Sequence, residues 1–244
     1  MVTGGQKNAS TNINIVVIKI GGASLFSAGA EFAQVHSFVE NLKCDRTTRY
    51  FITLGGGDTV ESMRTLHRNH PQLDMRKMHW RCVELLHGTS DVAAELLDLE
   101  VRIKSTDQLE RAIINPTPGC YLVDVSSFYN PGCIDWVPKG LVPAENWDTT
   151  SDTLAWLLAL RIKASQLQLI KKPDCSQLQT IEQAAQLGIV DPQLAILSKK
   201  QPQDWKIDTL VVYHTDGWRK QLLTVDPFSE NSANEQENYL GTIP

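Results

Sequence analysis

One lysine stands inside an otherwise apolar stretch: Ile13-Asn14-Ile15-Val16-Val17-Ile18-Lys19-Ile20 is rich in β-branched residues and is broken by Gly21-Gly22. Such a run predicts a strand buried on both faces, and an ammonium within it needs an anionic partner or must lose its proton. Glycines directly after it let backbone N–H groups converge on an anion, because a side chain there would block close approach. A second strand, Tyr50-Phe51-Ile52-Thr53-Leu54, runs into Gly55-Gly56-Gly57 at the start of a helix, where free amides and the helix dipole favour negative charge. Farther on, Trp147-Asp148-Thr149-Thr150-Ser151-Asp152 gathers hydroxyls and carboxylates at another helix start, and a third strand ends in Lys171-Lys172. Together these residue types can handle phosphate. Cations and amides would hold it, and Asp152, pointing from the same sheet edge, would keep the lysines charged and oriented without accepting a proton.

Each piece also has a plainer explanation. Lys19 can pack its stem and snorkel at the strand end, and glycines can simply make tight turns. Thr149 or Ser151 can be a helix cap, while Lys171-Lys172 and Lys199-Lys200 can be solvated pairs. His79 and Trp80 fit the half-buried face of a helix. His214-Thr215-Asp216-Gly217 reads first as a turn. The recurrence of a glycine turn at two strand ends favours phosphate over mere packing. Neither turn matches G-x-x-x-x-G-K-[ST], and no G-x-G-x-x-G follows a strand, so the P-loop and Rossmann readings lose their main support.

The elements that must position these groups alternate. A helix is predicted over Ala30–Leu42, from Phe32, Val35, Val39 and Leu42, and another from the cap candidate Asp58. Further helices are predicted over Met75–His87 and Asp91–Leu99, and a strand over Cys120–Val125. A Pro/Gly-rich loop covers Asn130–Asn146, and a helix opens at 149–152. The strand Leu167–Ile170, helices over Ser176–Gly188 and Pro192–Leu197, and the strand Thr209–Tyr213 complete the series. Strands alternating with helices imply a mainly parallel sheet covered on both faces, whose ligands bind at the carboxyl ends of the strands.

Composition bounds the function. The chain has 244 residues and a net charge of −5, with no basic cluster interleaved with aromatics, which argues against a nucleic-acid partner. No apolar run reaches the roughly 18 residues of a membrane span, and the polar opening residues show no signal stretch, so no membrane partner and a cytoplasmic location are expected. Cys44, Cys82, Cys120, Cys133 and Cys175 are odd in number, scattered and never spaced C-x-x-C, which points away from disulfides and structural zinc.

In their order and separation, Val17-Ile18-Lys19-Ile20-Gly21-Gly22, Thr53-Leu54-Gly55-Gly56-Gly57-Asp58, Trp147 through Asp152, and Leu169-Ile170-Lys171-Lys172 resemble the amino acid kinase superfamily. That superfamily includes acetylglutamate, carbamate, aspartate and uridylate kinases. Trp147 and Met78-His79-Trp80 look most like its methanofuran-biosynthesis kinases, which phosphorylate an aminomethylfuran-methyl phosphate. The resemblance implies a three-layer α/β/α sandwich, with residues 13–225 as one domain flanked by a flexible tail (1–12) and a polar tail (226–244). An acceptor half would span about 13–146 and a nucleotide half about 147–225. It implies an ATP-dependent kinase acting on a small acid or phosphate, with Mg2+ arriving on ATP rather than in a dedicated metal site, and a homo-oligomeric assembly. Lys19 would neutralise the moving phosphoryl group, Gly21 and Gly22 would contact nucleotide phosphates with Lys171 and Lys172, and Asp152 would organise the lysines. Gly55, Gly56, Gly57, Trp147 and Ser151 would hold the acceptor. Two departures stand out: the first turn carries Ala23 where the family commonly has Gly-Gly-Ser-Leu, and no Gly-Gly-Met-x-x-Lys segment follows Lys172, leaving Lys171 or Lys199 as the substitute, of which Lys171 is the one placed at the site. A non-catalytic nucleotide or oxyanion binder on the same fold is the alternative.

Overall fold

Alternation along the first strand divides the molecule into layers. Strand β1 (Asn14–Ile20) is flanked in the sheet by β2 (Thr48–Leu54) and β5 (Gln166–Lys171). Val16, Ile18 and Ile20 face one side, where they pack with Ile52, Leu54 and Ile170 against Val35 and Val39 of α2 (Ala30–Cys44). Val17, with Phe51, Leu167 and Leu169, faces the other side, against α6 (Ser151–Ile162). The computed structural model describes residues 13–172, 178–202, 204–205, 207, 209–215 and 219–224. β3 (Arg102–Ile103) and β4 (Gly119–Val123) extend one edge, and β6 (Thr209–His214) and β7 (Arg219–Thr224) the other, giving the order β3-β4-β2-β1-β5-β6-β7. Every neighbouring pair is parallel except β6 with β7. This is the predicted three-layer sandwich around a mainly parallel sheet.

The same alternation aims the lysines. Lys19 shares the face of Val17, Lys171 shares that of Leu169, and Lys19 is in register with Leu169, so both ammonium groups project toward α6. α6 is apolar almost all round and buried between the sheet and its neighbours, as a helix with no solvent face must be.

Several elements differ from the sequence expectation. The two helices predicted over Met75–His87 and Asp91–Leu99 are one, α4 (Met75–Leu96), running through Gly88-Thr89-Ser90. A side chain added at Gly88 would meet open space, and Thr89 Oγ1 bonds back to the Leu86 carbonyl at 2.9 Å, so the polar triplet is accommodated without a break. A single helical turn, α1 (Gly22–Leu25), follows β1 immediately. The helix after the triple glycine, α3 (Gly57–Asn69), begins at Gly57, with Gly56 rather than Asp58 as its N-cap. α5 (Thr106–Ile114) was not anticipated; three of its terminal carbonyls, those of Ala112, Ile113 and Asn115, accept from the buried Arg49 guanidinium at 3.0, 3.0 and 2.7 Å. β7 was also missed, because a charged edge strand with one buried residue, Leu223, lacks an apolar run. α7 (Ile181–Gln186) is shorter than the helix expected over Ser176–Gly188, whose first two residues lie outside the described ones, and α8 covers Pro192–Ser198. The expected tails also lie outside the described residues. Between β4 and α6 the chain makes only three short 3-10 turns, as the Pro/Gly content predicted. Among the described residues no helix is long and apolar enough to cross a membrane.

Candidate functional site

At the carboxyl ends of β1 and β2, beside that of β5, the chain turns on glycine twice over a short distance, and the two turns touch. A Cβ on Gly22 would lie 2.3 Å from Gly57 N, 2.6 Å from Gly57 Cα and 2.7 Å from Gly55 O, all main-chain atoms. Gly57 also has φ of 53°, a conformation that side chains resist. Gly22→Ala should therefore force the two turns apart, lowering stability by about 1–3 kcal/mol in a urea melt.

The amides of these turns are not equivalent. Gly21 N–H donates to Ile170 O at 3.0 Å and Gly55 N–H to Ile20 O at 2.9 Å, continuing the β1–β5 and β1–β2 ladders. Among the described residues, no acceptor takes the amides of Gly22, Gly56 or Gly57, which open α1 and α3. Gly21 and Gly55 thus shape the floor, while the other three carry the open donors. The Ser24 hydroxyl, 1% exposed on α1, has no hydrogen-bond partner among the described residues and lines the same cavity.

Behind the turns lies a buried ionic cluster. Asp152, in the first turn of α6 and 1% exposed, accepts from Lys171 Nζ at 2.5 Å through Oδ2. Lys19 Nζ lies 3.1 Å from Oδ1, an ion pair set off the direction that a hydrogen bond requires. Burial pushes the Lys19 ammonium down to about 8, against the pull of Asp152 and with the repulsion of Lys171. Burial alone would raise Asp152, but Lys171 and Lys19 outweigh it and hold the carboxyl down to about 2. The carboxylate is therefore charged and paired with both lysines.

The cap of α6 comes from elsewhere in the chain. Thr150 is the N-cap residue, yet its side chain makes no capping bond. Asp191 instead accepts from Thr150 N (2.9 Å), Thr150 Oγ1 (2.8 Å), Thr153 N (3.0 Å) and Thr153 Oγ1 (2.5 Å). It also caps α8 through Leu194 N at 2.8 Å. The expectation that Thr149 or Ser151 caps α6 is corrected accordingly; Thr149 Oγ1 donates to Ala144 O at 2.6 Å.

Two cavities meet at this cluster. The first, about 250 Å3, is walled by Lys19, the glycine turns, Ser151 and Lys171, with Val60, Val83, Leu86 and Leu154 as an apolar side. Lys172 stands at its rim, paired with Glu31 at 3.2 Å. The second, about 510 Å3, is walled by Arg68, Trp147, Asp152, Lys171 and the 188–192 segment. Trp147 thus lies on the second cavity while Ser151 lies on the first. The Trp147 indole donates to His67 Nδ1 at 3.0 Å and its ring lies 5.5 Å from the Arg64 guanidinium carbon. Arg64, Thr150 and Lys171 belong to both cavities.

Arg64 was not singled out from the sequence, although a signal existed: Val60, Glu61, Arg64 and Arg68 follow Gly57 at helical spacing and share one face of α3. Among the described residues its only ion-pair contact is Glu61 at 3.5 Å, and its buried Nε has no partner. His79 also walls the first cavity, but both ring nitrogens are engaged: Nδ1 lies 3.3 Å from Asn146 O and Nε2 2.9 Å from Tyr129 Oη. Burial lowers its pKa. The neutral tautomer that fits donates from Nδ1 and accepts the tyrosine proton, leaving no nitrogen for a ligand. Among the described residues no three His, Cys, Asp or Glu side chains converge as a metal-binding group.

No protein-family model matches the sequence, and no curated protein matches it. Solved structures do. UMP kinase from Ureaplasma parvum aligns over 86% of this chain and 99% of its own, with a TM-score of 0.56 and 16% identity. UMP kinase from Bacillus anthracis aligns over 87% of this chain and 96% of its own, with a TM-score of 0.54 and 13% identity. Aspartate kinase from Synechocystis aligns over 89% of this chain but only 41% of its own, with a TM-score of 0.56 and 14% identity. Both kinds of enzyme are of the amino acid kinase superfamily, and at these identities the likeness establishes that this chain has their fold.

Proposed function

We propose that the chain is an ATP-dependent kinase that transfers the γ-phosphoryl group to a small anionic acceptor. The observation that carries this reading is the Asp152 carboxylate bridging two lysines, the buried Lys19 and the half-buried Lys171, from two adjacent strands, directly behind the open amides of the glycine turns. Lysines, amides and an orphaned Ser24 hydroxyl fit a triphosphate chain, for which every donor needed is a cation or a neutral N–H or O–H. Magnesium bound through the phosphate oxygens would add charge neutralisation there.

Lys19 and Lys171 would sit against the equatorial oxygens of the moving group, where charge is spread in a loose transition state. The transfer forms one bond from acceptor oxygen to γ-phosphorus and breaks the bond to the β–γ bridging oxygen, releasing ADP. An acceptor that is already a phosphate or carboxylate attacks through a deprotonated oxygen, so no general base is required. That matches a site whose carboxylate is held by lysines and whose histidine has no free nitrogen. Arg64, loosely paired at the junction of the cavities, is the natural partner for the acceptor anion, with Val83 and Leu86 bounding a short apolar body.

The test is ADP release from ATP against a panel of small carboxylates and phosphate monoesters. The panel includes UMP, aspartate and aminomethylfuran-methyl phosphate, the last because of the Trp147 and Met78-His79-Trp80 resemblance. Turnover of any of them supports the reading, whereas nucleotide binding without turnover identifies an oxyanion binder on the same fold. The pH profile adds a second check. With the free-enzyme ammonium of Lys19 at about 8, kcat/KM should fall as pH rises through that value. A bound triphosphate adds negative charge and favours the ammonium, so the alkaline limb of kcat should lie higher. A kcat/KM limb that is flat to pH 10 would remove Lys19 from the mechanism.

A further inference from the structure

Asp191 belongs to no sequence motif that suggested chemistry, being an ordinary Asp-Pro helix start. Its surroundings are not ordinary. It is 5% exposed, and its two oxygens accept five hydrogen bonds, four of them from Thr150 and Thr153, which bracket Ser151 and Asp152. A helix cap needs one or two such bonds. Here a single carboxylate ties the first turn of α6 to the first turn of α8 and lies on the wall of the second cavity beside Asp152 and Lys171. Burial, then the charge of Asp152, pushes the Asp191 carboxyl up from its ordinary range, while the Thr153 and Leu194 donors pull the other way.

We infer that Asp191 is a positioning residue for the lysine cluster: by clamping the first turn of α6 it fixes Asp152 between Lys19 and Lys171, and as a second buried acid it adds negative charge behind them. The inference rests on the kinase reading for its purpose, but not for its physics. The groups facing Lys19 are Asp152 from α6, Lys171 from β5 and Asp191 from the start of α8; Glu61 and Arg64 of α3, His79 and Cys82 of α4 and Lys172 complete the charged or titratable walls of its cavity. Asp191 acts on Lys19 in the direction that keeps the ammonium protonated.

The experiment is the titration of the Lys19 amine by NMR in the ligand-free full chain, assigned by its loss in Lys19→Arg, and compared between wild type and Asp191→Asn. The expected result is a midpoint lowered by about half a pH unit or more, with the alkaline limb of kcat/KM moving in parallel. A capping role alone would lower the melting temperature and leave that midpoint where it was, and this outcome overturns the inference. Should Asp191→Asn fail to fold, the Thr150→Val/Thr153→Val variant removes two hydroxyl bonds while keeping the carboxylate and its three amide donors. It should loosen Asp152 and lower the same midpoint, and an unchanged midpoint there overturns the inference equally. If the midpoint shifts but the wild type transfers phosphate to nothing in the panel, the kinase reading fails and the clamp stands.

Discussion

Lys19→Ala should reduce phosphoryl transfer by about a thousandfold or more while leaving the fold intact. Preorganised donors aimed at developing charge in a water-poor site typically carry a hundredfold to a thousandfold each, and Lys19 adds a full charge to such a donor. It is 5% exposed and anchored in the central strand, so the ammonium arrives already oriented and gives up little entropy on binding. Removing it leaves Asp152 with Lys171, a sufficient partner for one carboxylate, and the strand keeps its ladder on both sides. The check is single-turnover transfer together with circular dichroism. Equal rates in wild type and variant would mean that this amine does no chemistry. Lys19→Arg should recover little, since a planar fork cannot occupy the space of a compact ammonium beside Gly55, whose added Cβ would lie 3.2 Å from Lys19 Cε.

The largest expected effect on stability is at Asp152. Asp152→Ala leaves the buried Lys19 ammonium facing the half-buried Lys171 without a counter-charge, and breaking a buried pair in this way typically costs about 3–5 kcal/mol. The pH dependence gives the cause a signature. In the native chain the folded Lys19 value, about 8, is below the ordinary 10.5, so the cost of its charge is present in full below about pH 8 and disappears as pH rises toward 10.5. Loss of Asp152 removes the attraction that opposes burial, depressing Lys19 further. The stability deficit of Asp152→Ala, measured by urea melts, should therefore be greatest near neutral pH and shrink on the alkaline side. A deficit independent of pH from 7 to 10 would assign the loss to packing instead.

Much of the frame was legible because it is written in local pattern. The β1 run names its own strand, and a charge inside that run is conspicuous; glycine doublets and triplets mark turns by their type alone. Asp152 stood out only through its neighbours in the motif and its place at a helix start. Asp191 did not stand out, because Asp-Pro explains itself locally and the four bonds to α6 span about 40 residues of sequence. Arg49 and Arg64 were missed for a related reason: an arginine on a strand or a helix reads as surface until a fold brings carbonyls or a cavity to it. The division of α4 failed where composition and context disagree, since Gly88-Thr89-Ser90 looks like a loop and is held as helix by Leu86 O and by the buried carboxylate of Asp124, to which Ser90 donates.

The abutment of Gly22 on Gly57 bears on how anything enters the site. With no side chain between the two turns, the cavity floor has no joint about which to swing, and a ligand cannot be admitted by parting β1 from β2. Movement falls to the roof, the 144–147 stretch: whereas Asp148 O is held by the Gln193 amide and Thr150 N by Asp191, this stretch is fastened through side chains, Glu145 to Arg76 and Trp80 and Trp147 to His67. Such fastenings can be released one at a time, so the molecule is built as a fixed anvil beneath a buckled strap.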